Sequence, residues 1–397
     1  MLEGLKVVEL ATYIAAPAAA GIMADWGADV IKIESAAGDP MRRFLAGLAD
    51  SDHCDPTFEN DNRGKRAIVL DIGKPEGREA ALRLVREADI FLTNVRPAAL
   101  KRAGLDWDQL HAENPRLIYC SVTGYGLQGP DTDKPGFDLV SFWARTGMAS
   151  LTAPKGTEPF PIRTGMGDHT CALATLSAIL AAVVERSRTG AGRLVESSLL
   201  RAGAYAISSD LAIQMRLGRV ASTRPRGHVV NPLANFFQAG DGRWLCLMPR
   251  DGGSDWPAIA AAAGRPNAAD DPRFSTARAR RENGPELVAM LDRAFAEMTV
   301  DEAGQRLDAG DVVWAPVQTP AQLITDPQAE AAGCFVDIPN PAGDAFRAPA
   351  GPARFPGADD GPKGPAPSLG QHTRSVLQAL GYTTSEIDAL IASGAAA

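Results

Sequence analysis

The sequence holds too few cysteines, in the wrong arrangement, for a metal cluster or a disulfide framework. Only five occur in 397 residues, at Cys54, Cys120, Cys171, Cys246 and Cys334. They are widely spaced and odd in number, with no CxxC pair. A reducing compartment is the simplest reading, and no metal site is expected. A basic excess is also lacking: 40 Lys and Arg against 48 Asp and Glu leave a net charge of −8. That argues against nucleic acid as the main partner, because neutralising phosphates needs cations. The N-terminus MLEGLKVVEL shows no charged region followed by a long apolar core, and no run reads as long enough to cross a bilayer. The expected setting is therefore the cytoplasm, with no membrane partner. The G-x-G-x-x-G pattern is missing after the first apolar run, where residues 15–21 read AAPAAAG, so the close backbone approach of an NAD pyrophosphate is not provided for. No G-x-S-x-G elbow occurs either, which leaves a Ser-His-Asp hydrolase without its nucleophile turn.

What is present is an ordinary globular composition, with 45% hydrophobic and 22% charged residues, in a chain long enough for two domains. Short apolar runs at residues 7–10, 30–34, 67–71, 89–93 and 117–122 predict strands. Between them lie helical stretches, one opening with the small residues 15–21 and another over 75–87. This alternation predicts an α/β fold, with a parallel sheet carrying helices on both faces. Residues 168–186 are small and apolar without polar periodicity, which suits a buried helix. From 224 to 235 the composition shifts toward Pro, Arg and Asn. Beyond that, apolar runs at 236–238 and 244–247 flank Gly240, Asp241 and Gly242 as a hairpin. A smaller α+β domain is expected there, with helices near 256–263 and 285–297 and a strand at 312–317. Residues 339–367, rich in Pro, Gly and Ala, read as an extended connector. A last helix follows His372, and the Ala-rich end reads as frayed. No internal repeat is visible.

Several residues invite chemistry. Glu34 ends the second strand where a ribose-binding carboxylate would sit, but without the glycines it reads as structural. Arg42, Arg43, Arg63, Lys65, Arg66, Lys74, Arg96, Lys101 and Arg102 lie near strand ends or loops and would suit phosphates. Solvated charge is the simpler role for any one of them. Asp168, within GMGDH at 165–169, opens the long apolar helix and reads locally as an N-cap. His169 beside it ranks as secondary, since adjacent helical residues do not face one another.

Read in order, LEGLKVVEL, ADWGADVIKIE, GDPMRR, NRGKRAIVLD, NVRPAALKRAGL, NPRLIYCSVTGYGLQGP, KPGFDLV, GDHT, NPLANFF and LGQHTRSVL resemble the family III CoA-transferases. That group includes formyl-CoA transferase and the 2-methylacyl-CoA racemases, and the resemblance runs from Leu2 to about Leu380. It implies a large Rossmann-like domain formed by both chain ends, over 1–222 and again after a connector within 331–397, around a small domain at 223–330. It also implies an interlocked homodimer. No permanently bound cofactor is implied; coenzyme A enters as substrate, with an acyl-CoA and a carboxylic acid as partners.

The family's nucleophilic aspartate falls on Asp168, which would form an anhydride and then an aspartyl-CoA thioester. Backbone amides at the helix start are expected to keep Asp168 ionised and to stabilise the oxyanions. The family's CoA contacts fall on Ile14, Ala15, Leu70, Asp71, Ile72, Gly73, Asn94, Val95, Arg96 and Arg102, and the acyl site on Gly136, Phe137 and Asp138. Three positions depart from the pattern: Ala16 stands before the proline in place of glycine, Val95 replaces an aromatic, and Ser35 an arginine. The glycine-rich lid of formyl-CoA transferases is absent from the hairpin, so formyl-CoA and oxalate are not expected substrates. The racemases carry His-Asp where Phe137-Asp138 stands, and phenylalanine transfers no proton. Racemisation, or service as a CoA-binding subunit in a heteromeric transferase, remains the alternative.

Overall fold

A computed structural model describes residues 1–45, 55–250, 253–339 and 345–397. Cys54 and part of the expected connector at 339–367 lie outside the described residues. The chain divides into two compact units, one of residues 1–149, 161–219 and 328–397, the other of 150–160 and 220–327.

The first unit is built on six strands: β1 (Lys6–Leu10), β2 (Asp29–Glu34), β3 (Arg66–Val69), β4 (Ile90–Thr93), β5 (Ile118–Thr123) and β6 (Arg193–Ser198). Their order is β3-β2-β1-β4-β5-β6, and every pairing is parallel. That order places a reversal of winding between β1 and β4, where open α/β sheets bind ligands beyond the strands' carboxyl ends. Alternate strand residues serve two helical layers, as the pleat requires. Val7, Val30, Ile90, Leu92, Cys120 and Val195 share one core with the Ala15–Asp25 and Met166–Thr189 helices. Val8, Ile31, Ile68, Phe91 and Tyr119 share the other with Pro75–Glu87 and the two C-terminal helices, Thr373–Ala379 and Thr384–Ala392.

The run of small residues is explained by this packing. Ala15, Ala16, Ala18, Ala19 and Ala20 are all buried in the same core as Cys171, Ala172, Leu176 and Ile179 of the long helix. Side chains this short let helices approach closely against the sheet. The 24-residue Met166–Thr189 helix is long and apolar enough, by length and composition, to cross a membrane, with 39% of its most apolar window buried inside the chain. The expectation that no segment reaches that length is thus corrected, and so is that of a buried helix: one face makes the core contacts just named, while Leu173 and Val184 are exposed.

Two further expectations are corrected. The Ala-rich end is not frayed: Ala395 and Ala396 are buried, Leu70 bridges to Ala396, and Thr373 Oγ1 donates to Ala397 O at 2.6 Å. The stretch expected as a connector contains a strand, Ala345–Pro349, paired antiparallel with Phe335–Pro339. The second unit holds a three-stranded antiparallel sheet of Asn235–Gln238, Trp244–Leu247 and Trp314–Pro316. It packs with the Trp256–Ala262 and Gly284–Phe295 helices around Phe237, Leu245, Trp256, Leu291 and Phe295. Residues 150–160 join this unit, tied in by Lys155 N donating to Thr223 O at 3.2 Å.

Candidate functional site

A cavity of about 590 Å³ opens at the carboxyl edge of the sheet in the first unit. The loop after β1 contributes Thr12, Tyr13, Ile14 and Ala15, the loop after β4 Asn94, Arg96 and Pro97, and the end of β5 Val122 and Thr123. Asn94 ties two of these loops together, its Oδ1 accepting from Thr12 N at 3.0 Å and its Nδ2 donating to Thr12 O at 2.6 Å. Tyr13 adopts φ +63°, a left-handed conformation that a bulky side chain enters only under constraint. The constraint is the buried Asp39, whose Oδ1 accepts from Tyr13 N at 3.1 Å. Held so, the Tyr13 ring stands edge-on to Phe137, centroids 5.2 Å apart at 84°.

Asp168 lies on the cavity wall as the third residue of the Met166–Thr189 helix. The local N-cap reading is corrected, since the cap is Gly165, at φ +86°, a conformation suited to glycine. Gly167 has a packing reason: a Cβ there would stand 2.6 Å from the Phe142 ring, so only glycine lets the helix start settle onto Phe142 and present Asp168 to the cavity. Gly165 N donates to Asp138 Oδ2 at 2.8 Å, which ties the cap to the π-helical turn Asp138–Ala144.

The electrostatics differ from expectation. No hydrogen bond from a helix-start amide holds Asp168 ionised among the described residues. Burial, with the Asp138 carboxylate adding to it and the His169 ring opposing, pushes the Asp168 carboxyl up to about 7. His169, set aside in reading the sequence, is engaged on both ring nitrogens. Nδ1 lies 2.8 Å from Gly165 O and Nε2 3.2 Å from Asp61 Oδ1. The Asp61 hydrogen bond pushes the imidazole up to about 9. Asp61 comes from the Pro56–Asn62 helix, and no spacing along the chain signals that meeting.

Of the residues singled out in the sequence, Ile14, Ala15, Asn94, Arg96, Gly136, Phe137, Asp138 and Asp168 line this one cavity. Leu70, Asp71, Ile72, Gly73, Val95 and Arg102 do not. The segment 70–73 follows β3 at the same carboxyl edge, where Asp71 N donates to Ala395 O at 2.9 Å and Asp71 Oδ1 accepts from Gly73 N at 3.0 Å. Val95 packs against the core beside Leu100. Arg102 is exposed in the last turn of the Pro97–Ala103 helix.

The candidate phosphate-binding cations also separate. Arg42 pairs with Glu34, Arg63 with Asp25, Lys65 with Glu9 and Arg66 with Asp29, and Lys74 donates to Ser393 O. Glu34 is thereby structural. Arg43, Arg96, Lys101 and Arg102 have no side-chain partner among the described residues, so these four remain available to an anion. Among the described residues no cluster of His, Cys, Asp or Glu is suited to hold a metal. Tyr13, Met41, Phe44, Thr132, Lys134, Thr164 and Leu199 also line the cavity and escaped the sequence reading, because they come from several loops and helix ends far apart in the chain.

A sequence profile of CoA-transferase family III matches residues 2–373. The (R)-2-hydroxy-4-methylpentanoate CoA-transferase of Clostridioides difficile is 33% identical, over 98% of this chain and 97% of its own. The cinnamoyl-CoA:phenyllactate CoA-transferase of Clostridium sporogenes is likewise 33% identical, over 98% of this chain and 96% of its own. The crystal structure of a CaiB/BaiF family protein from Brucella suis superimposes with a TM-score of 0.85 at 31% identity, covering 96% of this chain and 99% of that one.

Proposed function

The chain belongs to CoA-transferase family III, and from that premise we propose that it moves CoA between two carboxylic acids through a covalent intermediate on Asp168. The observation that carries this is the setting of Asp168, a carboxylate on the wall of the cavity with its pKa lifted to about 7. It accepts no hydrogen bond from the described residues, so its oxygens are uncommitted. At neutral pH a large fraction is ionised, and that fraction keeps the basicity of a group poised near the working pH.

The Asp168 carboxylate attacks the thioester carbonyl of the donor. The C–S bond breaks, and CoA leaves as thiolate from a mixed anhydride. The thiolate then attacks the aspartyl carbonyl and expels the donor acid, leaving Asp168 joined to CoA as a thioester. The acceptor carboxylate displaces CoA to form a second anhydride, and thiolate attack on its acyl carbonyl releases the new acyl-CoA and restores Asp168. No bond to the α-carbon changes at any step.

Ile14, Ala15, Asn94 and Arg96 are proposed to hold the arm of CoA that enters the cavity. Residues 70–73 and Arg102 would meet its nucleotide end; β3 lies three strand spacings from β4, roughly 14 Å, within the reach of an extended pantetheine arm. The wall beside Asp168 is built from Tyr13, Ile14, Met41, Phe44, Phe137 and Leu199. Such a wall favours acids with branched or aryl side chains over small dianions, because apolar surface is removed from water. The substrates in the names of the two relatives, a methyl-branched hydroxy acid and aryl acids, support the same class. An interlocked homodimer in the cytoplasm completes the proposal.

The test is a panel of acyl-CoA donors and acids with mass spectrometry of products and of the protein. CoA should appear on the peptide containing Asp168, and Asp168→Ala should lose transfer by a factor on the order of 10³ or more. A chiral 2-methylacyl-CoA should keep its configuration and take up no deuterium at the α-carbon in heavy water. Deuterium uptake without net transfer would favour racemisation instead.

A further inference from the structure

His169 is placed to do more than cap a turn. Its Nδ1 faces only the Gly165 carbonyl, at 2.8 Å, and its Nε2 faces the Asp61 carboxylate, at 3.2 Å. Both neighbours accept, so the ring satisfies both only when each nitrogen carries a proton. Asp61 is 3% exposed; its Oδ1 also accepts from Asn60 Nδ2 at 2.9 Å, and its Oδ2 has no hydrogen-bond partner. Beyond the more distant charge of the buried Lys65, the imidazolium is the one cation within ion-pair distance of it among the described residues. The same Gly165 whose carbonyl meets His169 donates its N–H to Asp138 Oδ2 at 2.8 Å. A continuous chain, Asp61 to His169 to Gly165 to Asp138, therefore runs around the cap of the helix that carries Asp168.

Resting on the reading of Asp168 as nucleophile, we propose that His169, held as a cation by Asp61, is a positioning residue for the transfer. It fixes the Gly165 turn from which Asp168 rises, and it supplies the one positive charge that keeps Asp168 available as a carboxylate beside Asp138. Three charged groups bear on Asp168: Asp138 from the π-helical turn, Asp61 from the Pro56–Asn62 helix, and His169 from its own helix. With the imidazolium in place Asp61 is neutralised and one anion opposes ionisation of Asp168. Without it, two do. The His169 side chain keeps 47% of its surface open, so solvent screens part of its field, and the expected influence is that of a partly exposed neighbour.

The expected result is specific in sign. In the native protein kcat/KM should fall below a pH near 7, as the Asp168 carboxylate takes up a proton. His169→Gln should move that acidic limb upward by about one pH unit, giving roughly tenfold lower kcat/KM near pH 6 and little loss above about pH 9. Adding Asp61→Asn to His169→Gln should bring the limb part of the way back, because the anion left bare by the first change is removed. A purely structural role would instead lower the rate equally at all pH values, with no recovery in the double variant, and that outcome would overturn the proposal.

A measurement on the unaltered protein guards against a variant that does not fold. Histidine-labelled NMR should find one ring still doubly protonated at pH 8, and titration of every histidine near 6.5 would equally overturn it. Absence of a CoA adduct at Asp168 in native protein would remove the nucleophile reading itself. An adduct together with an unmoved acidic limb would remove only the role of His169.

Discussion

Among the described residues of the first unit, a buried charge cluster around Glu9 and a half-buried one around Asp168 are balanced differently. In one, every group has its opposite. Glu9 accepts from Lys32 at 2.7 Å and from Lys65 at 2.6 Å, and Lys32 also pairs with Asp39 at 2.9 Å. Lys32 further donates to Ala11 O, and Lys65 to Pro17 O and Asn62 Oδ1. These groups are almost wholly removed from water. Burial alone would raise the Glu9 carboxyl, and the two ammonium groups more than offset it, so Glu9 lies below the usual range.

The cluster around Asp168 has three carboxylates to one imidazole, and there the carboxyl is pushed up to about 7. The satisfied cluster ties β1, β2 and the segment before β3 into one geometry. It also places Asp39 to hold Tyr13 over the cavity. The unbalanced cluster keeps a carboxylate near its point of ionisation, where it can react. Buried charge of similar kind serves structure when paired and chemistry when left short of a partner.

Glu9→Gln would break the balanced side most directly. It leaves two buried ammonium groups with one carboxylate between them, and the expected loss is about 3–5 kcal/mol of unfolding free energy. A urea titration with an unchanged slope measures it, and a loss below about 1 kcal/mol would mean that the network does not organise the loops above it.

Asp168→Asn sharpens the other side, because it should raise stability while abolishing transfer. The folded-state pKa of Asp168, about 7, exceeds its unfolded value of 3.8. The native state therefore binds that proton more tightly, a contribution fully present below 3.8 and lost as the pH rises through about 7. The Asn variant escapes this loss. It should gain about 1–2 kcal/mol, a few degrees in Tm, near pH 8 and nothing near pH 3.5, after allowance for solvent reach. Equal Tm shifts at both pH values would contradict the assigned strain.

The smallest expected effect concerns a cation outside both clusters. Arg102→Ala should leave stability within about 0.5 kcal/mol while raising KM for acyl-CoA several-fold with little change in kcat. It should also flatten the dependence of KM on salt. A salt dependence identical to that of the native enzyme would remove Arg102 from the CoA site.

Much of the sheet was legible because its signals are local. The Pro75–Glu87 helix was read to the residue, opened by proline and carrying one apolar face. The first five strands were read within two residues at each end, since short apolar runs between turn residues mark buried parallel strands. β6 escaped, because its six residues, RLVESS, include three exposed positions and its place comes from pairing with β5. The last two alanines read as frayed because nothing in an Ala-rich tail shows that Leu70 will bridge to it. At the site, the rule that neighbouring helical residues do not face each other is sound, and it hid the role of His169. The ring is held as a cation by Asp61, 108 positions away in the chain, and bears on Asp168 through its charge and the Gly165 turn.

The sequence by itself determined the alternation of strand and helix, the small residues that let the Ala15–Asp25 helix into the core, and an aspartate at the head of the long helix. These depend on periodicity and on residue size, which are written along the chain. Only the tertiary structure decided that five of the nine candidate cations are committed to internal partners, that Asp39 holds Tyr13 in a left-handed turn, and that Asp138, Asp61 and His169 converge on Asp168. Charge interactions depend on separation in space and on exclusion of water, and neither exists until the chain has folded.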